Sequence, residues 1–146
     1  AGGGTQAHAL RQQASGNSHI RFLGPQSQQQ LGALYYHSLA CVVPSITYET
    51  FGIIIVEAFA RKAPVIVRDL GALPEVVNDS SGGFIFKNDD ELAQAIDRLG
   101  NSPDLRKQLG QNGYNTFLRS WTRESHMKMY LEMVTELGHR KSRRTT

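Results

Sequence analysis

Two glutamates, Glu49 and Glu57, stand eight positions apart with only uncharged residues between them. No carboxylate occurs in the forty-eight residues that precede Glu49. A carboxylate accepts hydrogen bonds from the hydroxyls of a sugar, whereas its charge is repelled by a bare phosphate. Gly52 lies between the two acids and has no Cβ to keep a ligand away from the backbone. These residue types and this spacing predict a site for a sugar that carries phosphate.

A strand followed by a helix is expected to position these residues. Residues 39–43 are apolar and are followed by Pro44, which is typical of a short buried strand. Residues 52–60 are apolar and too long for an average strand, so they predict a helix. In an open parallel sheet this junction binds ligands, because the unpaired N–H groups and dipole of the helix favour a phosphate. Ser45, in the connecting loop, either caps a turn or contacts that phosphate.

The remaining elements alternate between strands and helices. Strands are expected at residues 19–23, 63–67 and 83–86, and helices at residues 5–15, 27–38 and 73–77. Asn88 and Glu91 predict a capped helix start with Leu92, Ile96 and Leu99 on its buried face. Ser102 followed by proline predicts the start of the next helix, and one further helix follows that one. This alternation implies an α/β fold with a parallel sheet.

The order of these segments resembles glycosyltransferase family 4. The run around the two acids matches the E-x7-E signature of that family, and four further segments occur around it in the family's order. The five segments are HIRFLG (19–24), LGALY (31–35), PSITYETFGIIIVEAFA (44–60), APVIVRDLGALPE (63–75) and GGFIF (82–86). The series is similar to the C-terminal domain of the family, over residues 1–138.

The resemblance implies a Rossmann-like parallel sheet flanked by helices, the C-terminal half of a GT-B glycosyltransferase. Such enzymes are retaining, and they move a sugar from a nucleotide sugar, such as a UDP- or GDP-sugar, to an acceptor, as in polysaccharide biosynthesis. Glu49 would be the catalytic residue that faces the donor sugar, and Glu57 would accept from the ribose hydroxyls. The diphosphate would meet Ser45 and the backbone N–H groups of Thr50, Phe51, Gly52 and Ile53. The base would lie near Arg21 and Phe22.

The resemblance also implies that the chain is truncated within a domain. The glycine-rich residues 1–6 resemble a loop of the family, but the strand that should precede them is absent. The acceptor-binding N-terminal domain and a basic pair that neutralises the diphosphate are expected to lie elsewhere. We therefore expect this stretch to transfer no sugar alone and to self-associate through the apolar stripe of the last helix. That stripe consists of Met127, Tyr130, Leu131, Val134 and Leu137.

Composition and charge limit the kinds of binding partner that are expected. At 146 residues and 40% hydrophobic, the chain is expected to bury one core. Its net charge of +3 comes from four basic residues in residues 139–146, which predict a disordered basic tail. No aromatic residues interleave those charges, so nucleic acid is not an expected partner. The lone Cys41 is interpreted as a buried, inert thiol.

No metal or other cofactor is expected, because helix capping explains Asp89 and Asp90 better than metal binding does. The chain is expected to be cytoplasmic, or peripheral on the inner membrane surface. Two alternatives remain, a nucleotide-sugar epimerase-like protein and a non-catalytic nucleotide-binding module. Gly2, Gly4 and Ala7 also fit a dinucleotide-binding G-x-G-x-x-A loop, but no strand precedes it and no acid follows about 20 residues later.

Overall fold

A computed structural model describes the backbone of residues 1–142 and the side chains of residues 1–137. The chain divides into two compact units, Ala1–Leu34 and Tyr35–Thr146. The strands are β1 (Cys41–Val43), β2 (Val65–Arg68) and β3 (Gly83–Phe86). The helices are α1 (Ala7–Gln13), α2 (Gln28–His37), α3 (Ile53–Phe59), α4 (Leu73–Ser80), α5 (Asp89–Asn101), α6 (Pro103–Thr116) and α7 (Arg123–Ser142), with a π-helical turn (Phe117–Trp121) between the last two.

The first unit consists of α1, an irregular segment and the start of α2. The strand predicted at residues 19–23 is wrong, because these residues have no regular structure and take no part in the sheet that the described residues form. A strand persists only where a neighbour satisfies its backbone N–H and C=O groups. The backbone bond within this segment is that of a turn, from the Ile20 N–H to the Asn17 carbonyl oxygen at 3.2 Å, and at its end the Gly24 carbonyl oxygen accepts from the Gly2 N–H at 2.7 Å.

The second unit contains a parallel sheet in the order β1-β2-β3. Val43 pairs with Val67, and Val67 pairs with Ile85, so the carboxyl ends of the three strands lie at one edge. Parallel strands need long crossovers. Helix α3 lies in the crossover from β1 to β2, and α4 lies in that from β2 to β3. The predicted α/β fold, a parallel sheet flanked by helices, is confirmed.

The core lies on both faces of β2. Val65 and Val67 belong to a cluster that includes residues of α3 and α4, whereas Ile66 packs in a second cluster with α5. All three valine and isoleucine side chains are fully buried, which explains why this strand reads as a continuous apolar run. On α5, Leu99 is buried and Leu92 packs against the second cluster, as predicted, whereas Ile96 is 46% exposed and the neighbouring Ala95 is buried instead.

Two helices begin where their local sequence predicts. The Asn88 side chain accepts a hydrogen bond from the Glu91 N–H at 2.9 Å, and Glu91 accepts one from the Lys87 N–H at 2.7 Å. The Ser102 hydroxyl oxygen accepts from the Leu105 N–H at 3.4 Å, and Pro103 opens α6. Asp89 and Asp90 lie in the first turn of α5, where the helix dipole favours acids.

Helix α7 continues to Ser142 and so extends beyond residue 138, the predicted domain boundary. Residues 143–146 of the predicted basic tail lie outside the described residues. Within residues 1–142, none of the helices combines the length and apolar composition that crossing a membrane requires.

Candidate functional site

The loop from β1 to α3 lines an open cavity of about 520 Å³ at the carboxyl end of β1. One wall is formed by the end of the strand and by Ser45, and the other by the loop and the first turn of α3. The lining residues that were predicted as site residues are Ser45, Glu49, Thr50, Phe51, Gly52 and Ile53. The structure therefore brings together six of the nine residues that the sequence singled out.

The side chain and the backbone of Glu49 are both held in place. The Ser45 hydroxyl donates to Oε1 of Glu49 at 3.3 Å. The backbone carbonyl oxygen of Glu49 accepts a hydrogen bond from the Ala72 N–H at 3.2 Å. Gly71 has a φ of +63°, and a Cβ there would lie 3.0 Å from the Glu49 carbonyl oxygen. The loop after β2 thus fixes the loop after β1, a contact that the G-A-L-P-E segment did not by itself indicate.

The fold itself requires a glycine at position 52. It is the residue before α3, with φ 81° and ψ 59° in the left-handed region that favours glycine. A Cβ on Gly52 would lie 2.7 Å from Cδ2 of Leu73 and 3.2 Å from Cδ1 of Ile55. Sequence reasoning predicted a glycine that opens the backbone to a ligand, and the structure adds that this glycine packs against α4.

Glu57 lies on α3 outside the residues that line the cavity. Its Oε2 accepts a hydrogen bond from the Tyr35 hydroxyl at 3.3 Å. Burial is the main reason that the pKa of Tyr35 is raised, and Cys41 and Glu57 add to the effect. Burial, with the nearby Glu57 charge, also raises the pKa of the Cys41 thiol to about 11. Tyr35 and Cys41 therefore stay protonated near neutral pH.

Phe51 connects the cavity to the C-terminal part of the chain. Its ring meets Trp121 edge-on, with ring centroids 6.1 Å apart and planes at 83°. Trp121 in turn stacks on Phe59 of α3 at 6.0 Å and 7°. Phe51 and Trp121 also line a second, mainly apolar cavity of about 480 Å³ that reaches Met129 on α7.

Arg68 is a residue near the site that sequence reasoning missed. Its Nε donates to the Pro44 carbonyl oxygen at 3.4 Å, and its guanidinium lies 5.0 Å from the centre of the Phe86 ring. This places a positive charge beside one wall of the cavity. The sequence did contain a signal for Arg68, because it is a basic residue directly after the strand predicted at residues 63–67.

Arg21 and Phe22 lie in the first unit, in the irregular segment before α2. The Arg11 guanidinium sits 5.0 Å from the centre of the Phe22 ring, and both predicted residues are exposed. Their role in base binding stays a prediction. Among the described residues, no group of three or more His, Cys, Asp or Glu side chains is arranged to hold a metal ion.

The chain matches known proteins across most of its length. The family model described as glycosyl transferases group 1 covers residues 1–116. A glycosyltransferase of Methanocaldococcus jannaschii is 38% identical over 98 residues, which are 66% of this chain and 28% of that protein. A D-inositol 3-phosphate glycosyltransferase of Streptomyces bingchenggensis is 34% identical over 105 residues, 70% of this chain and 23% of that protein.

Solved structures agree with this match. Sucrose-phosphate synthase from Thermosynechococcus elongatus has a TM-score of 0.78 at 27% identity, over 92% of this chain and 34% of that one. HepE of Anabaena, solved with UDP and glucose, has a TM-score of 0.75 at 20% identity and shares the fold, over 88% of this chain and 35% of that one. The chain thus spans about a third or less of these relatives.

The transferase names of these relatives favour a glycosyltransferase over the epimerase-like alternative. The Rossmann-like arrangement is likewise that of the GT-B glycosyltransferases among the solved structures. Since the family model covers residues 1–116 of 146, the chain belongs to the glycosyl transferases of group 1.

Proposed function

We propose that this chain is the donor-binding half of a retaining glycosyltransferase, which moves a sugar from a nucleotide diphosphate sugar to an acceptor. The observation that carries the proposal is the convergence of Ser45, Glu49 and the first turn of α3 on one cavity. These groups offer a carboxylate for sugar hydroxyls and backbone donors for phosphate within the same space.

The diphosphate would lie against the start of α3. The first N–H groups of a helix have no partner within the helix, so those near Gly52 and Ile53 are suited to phosphate oxygens. Thr50 and Phe51 are exposed and extend this surface. Glu49, held by Ser45 and the loop after β2, would meet the hydroxyls of the transferred sugar.

Glu57 would accept hydrogen bonds from the ribose. It follows Ile53 by four residues, so the helical rise sets it about 6 Å further along α3, and side chains lean toward the helix N-terminus. A separation of this size suits a nucleotide whose diphosphate is at the helix start. Base binding near Arg21 and Phe22 is a separate part of the proposal, taken from the sequence resemblance.

Relatives support the donor class. The Streptomyces relative is named a glycosyltransferase, and two structures of Anabaena HepE hold UDP with glucose or UDP-glucose. We infer a UDP- or GDP-sugar donor, an acceptor bound by a further domain, and a cytoplasmic or membrane-peripheral location. No metal is required in this proposal, because backbone donors meet the diphosphate. Without the further domain, this stretch should transfer no sugar.

Titration of the chain with UDP, GDP and their glucose conjugates, at up to millimolar concentration, tests the proposal. Glu57→Ala should weaken binding of the nucleoside diphosphate by about 1–3 kcal/mol, the scale of lost charge-assisted hydrogen bonds. Glu49→Ala should weaken only the sugar conjugate. The control Glu132→Ala removes an exposed glutamate on α7 and should change neither. Unchanged affinity in a folded Glu57→Ala variant would defeat the proposal.

A further inference from the structure

Tyr35 makes a side-chain contact with Glu57 that the proposed function does not use. The two residues are 22 positions apart, and the contact joins the end of α2 to α3. The ring of Tyr35 is half-buried and packs against the apolar cluster on one face of the sheet. The phenol is therefore held by its own packing while its hydroxyl reaches Oε2 of Glu57.

The direction of this hydrogen bond is fixed. The raised pKa of Tyr35, which follows mainly from burial, keeps the phenol protonated, so that it donates and the carboxylate accepts. A carboxylate has about four acceptor sites and can accept from several donors at once. Donation by Tyr35 is thus compatible with donation by ribose hydroxyls to the same group.

Holding the carboxylate has a definite effect on binding. A glutamate side chain has three rotatable bonds, and fixing it when a ligand arrives costs rotamer entropy. A carboxylate that is already fixed avoids part of that cost. We propose that Tyr35 is a positioning residue that holds Glu57 in the orientation that accepts the ribose hydroxyls of the donor. This inference rests on the proposed function and extends it to α2.

A role in packing alone makes a different prediction. Tyr35→Phe keeps the ring and removes only the hydroxyl, so packing against the core cluster is preserved. The neighbouring Tyr36 is 68% exposed and is T-shaped to His37, so Tyr36→Phe is a control with the same chemical change. A packing role would affect all nucleotides alike, whereas a positioning role affects only those with ribose hydroxyls.

The experiment is a phosphorus NMR titration of the whole chain with UDP, GDP and their 2′,3′-dideoxy analogues. Tyr35→Phe should weaken binding of the nucleotide with both hydroxyls about threefold to tenfold, the scale of one hydrogen bond. Tyr35→Phe should leave binding of the dideoxy analogue unchanged. Tyr36→Phe should leave binding of both the nucleotide and its dideoxy analogue unchanged. In a Glu57→Ala background, Tyr35→Phe should have no further effect.

The outcomes separate the two proposals. If Glu57→Ala removes the preference for ribose hydroxyls but Tyr35→Phe does not reduce it, the positioning role is overturned and the proposed function stands. If Tyr35→Phe weakens both forms equally, the role is packing and the inference fails. If the unmodified chain binds neither nucleotide, or Glu57→Ala has no effect, the proposed function fails and the inference fails with it.

Discussion

Gly52 joins the fold and the candidate site at one residue. It precedes α3 with a positive φ, and its missing side chain lets Leu73 of α4 pack against the backbone. The same position lies on the wall of the cavity. A substitution at Gly52 is therefore expected to lower the stability of the fold, whether or not a ligand is bound.

Gly52→Ala is expected to destabilise the chain by about 1–3 kcal/mol, because alanine is strained at this φ and its Cβ meets Leu73. Urea unfolding measures the change. Gly100 in α5 is the matched control, since a Cβ there meets nothing within 4 Å. Gly100→Ala should be neutral or stabilising by up to about 1 kcal/mol. Equal stability of Gly52→Ala and the unmodified chain would contradict the packing described for Gly52.

Cys41 gives a prediction about pH. Its pKa in the fold is about 11, above the ordinary value of 9.0, because burial and the Glu57 charge disfavour the thiolate. The folded chain therefore holds this proton more tightly than the unfolded chain. The contribution of Cys41 to the free energy of unfolding is fully present below pH 9 and is lost as pH rises toward 11.

Alkylation of Cys41 by iodoacetamide at pH 8 should be about a hundredfold slower in the folded chain than in the chain unfolded in urea. Because Cys41 is the single cysteine, the rate reports this thiol alone. Similar rates in the two states, after correction for the effect of urea on a free thiol, would contradict the raised pKa of Cys41.

Sequence reasoning predicted two acidic site residues but not the contacts that hold the loop between β1 and α3. Glu49 and Glu57 were singled out because carboxylates near a strand-to-helix junction suggest specific chemistry, and their roles stay predictions. Arg68 and Gly71 act on the site across the sheet edge, and such contacts depend on which strands are neighbours. Residue spacing within one loop carries no information about that pairing.

At the scale of elements, the helix starts that depend on nearby side chains were predicted correctly. The caps of α5 and α6 depend on side chains within four residues of the helix start, so the sequence contains them. The strand at residues 19–23 was wrong because a strand depends on a partner far away in sequence. The π-helical turn was missed because nothing in local spacing separates its residues from the end of α6.

That turn carries Trp121 and gives a prediction. Because Phe51 lies edge-on to the only tryptophan, a nucleotide at the loop should change the indole fluorescence, excited selectively. Phe51→Leu should lose most of this response. Phe84→Leu makes the same change in a strand that packs on the second core cluster and should retain it. A full response in Phe51→Leu at saturating nucleotide would show that the contact does not couple the loop to the turn.

At the scale of the whole molecule, α7 presents an apolar stripe to solvent. Met127, Tyr130, Leu131, Val134 and Leu137 are each between 46% and 57% exposed. Their spacing sets them along one side of the helix, as the sequence predicted. An exposed apolar surface of this kind indicates an association face. The sequence predicted that a second copy of the chain covers this face, and that stays a prediction.

We expect the chain to self-associate through this stripe, with a sedimentation coefficient that rises with protein concentration. Leu131→Lys should weaken association, because it buries a charge in the contact. Glu132→Lys introduces the same side chain one residue later, away from the stripe, and should weaken it far less. If the unmodified chain sediments as a monomer at every concentration, this prediction is contradicted.

The cavity is attached to a short edge strand of the sheet. β1 is three residues long and pairs with β2 alone among the described strands, whereas β2 is paired and covered on both sides. Separating β1 breaks one ladder, so amide exchange from β1 requires a smaller opening than exchange from β2. A nucleotide held between the loop and α3 would bind only the closed form and suppress this fraying. Apparent affinity would then include the free energy of closing the sheet edge, and ordering of the edge strand would be part of donor recognition.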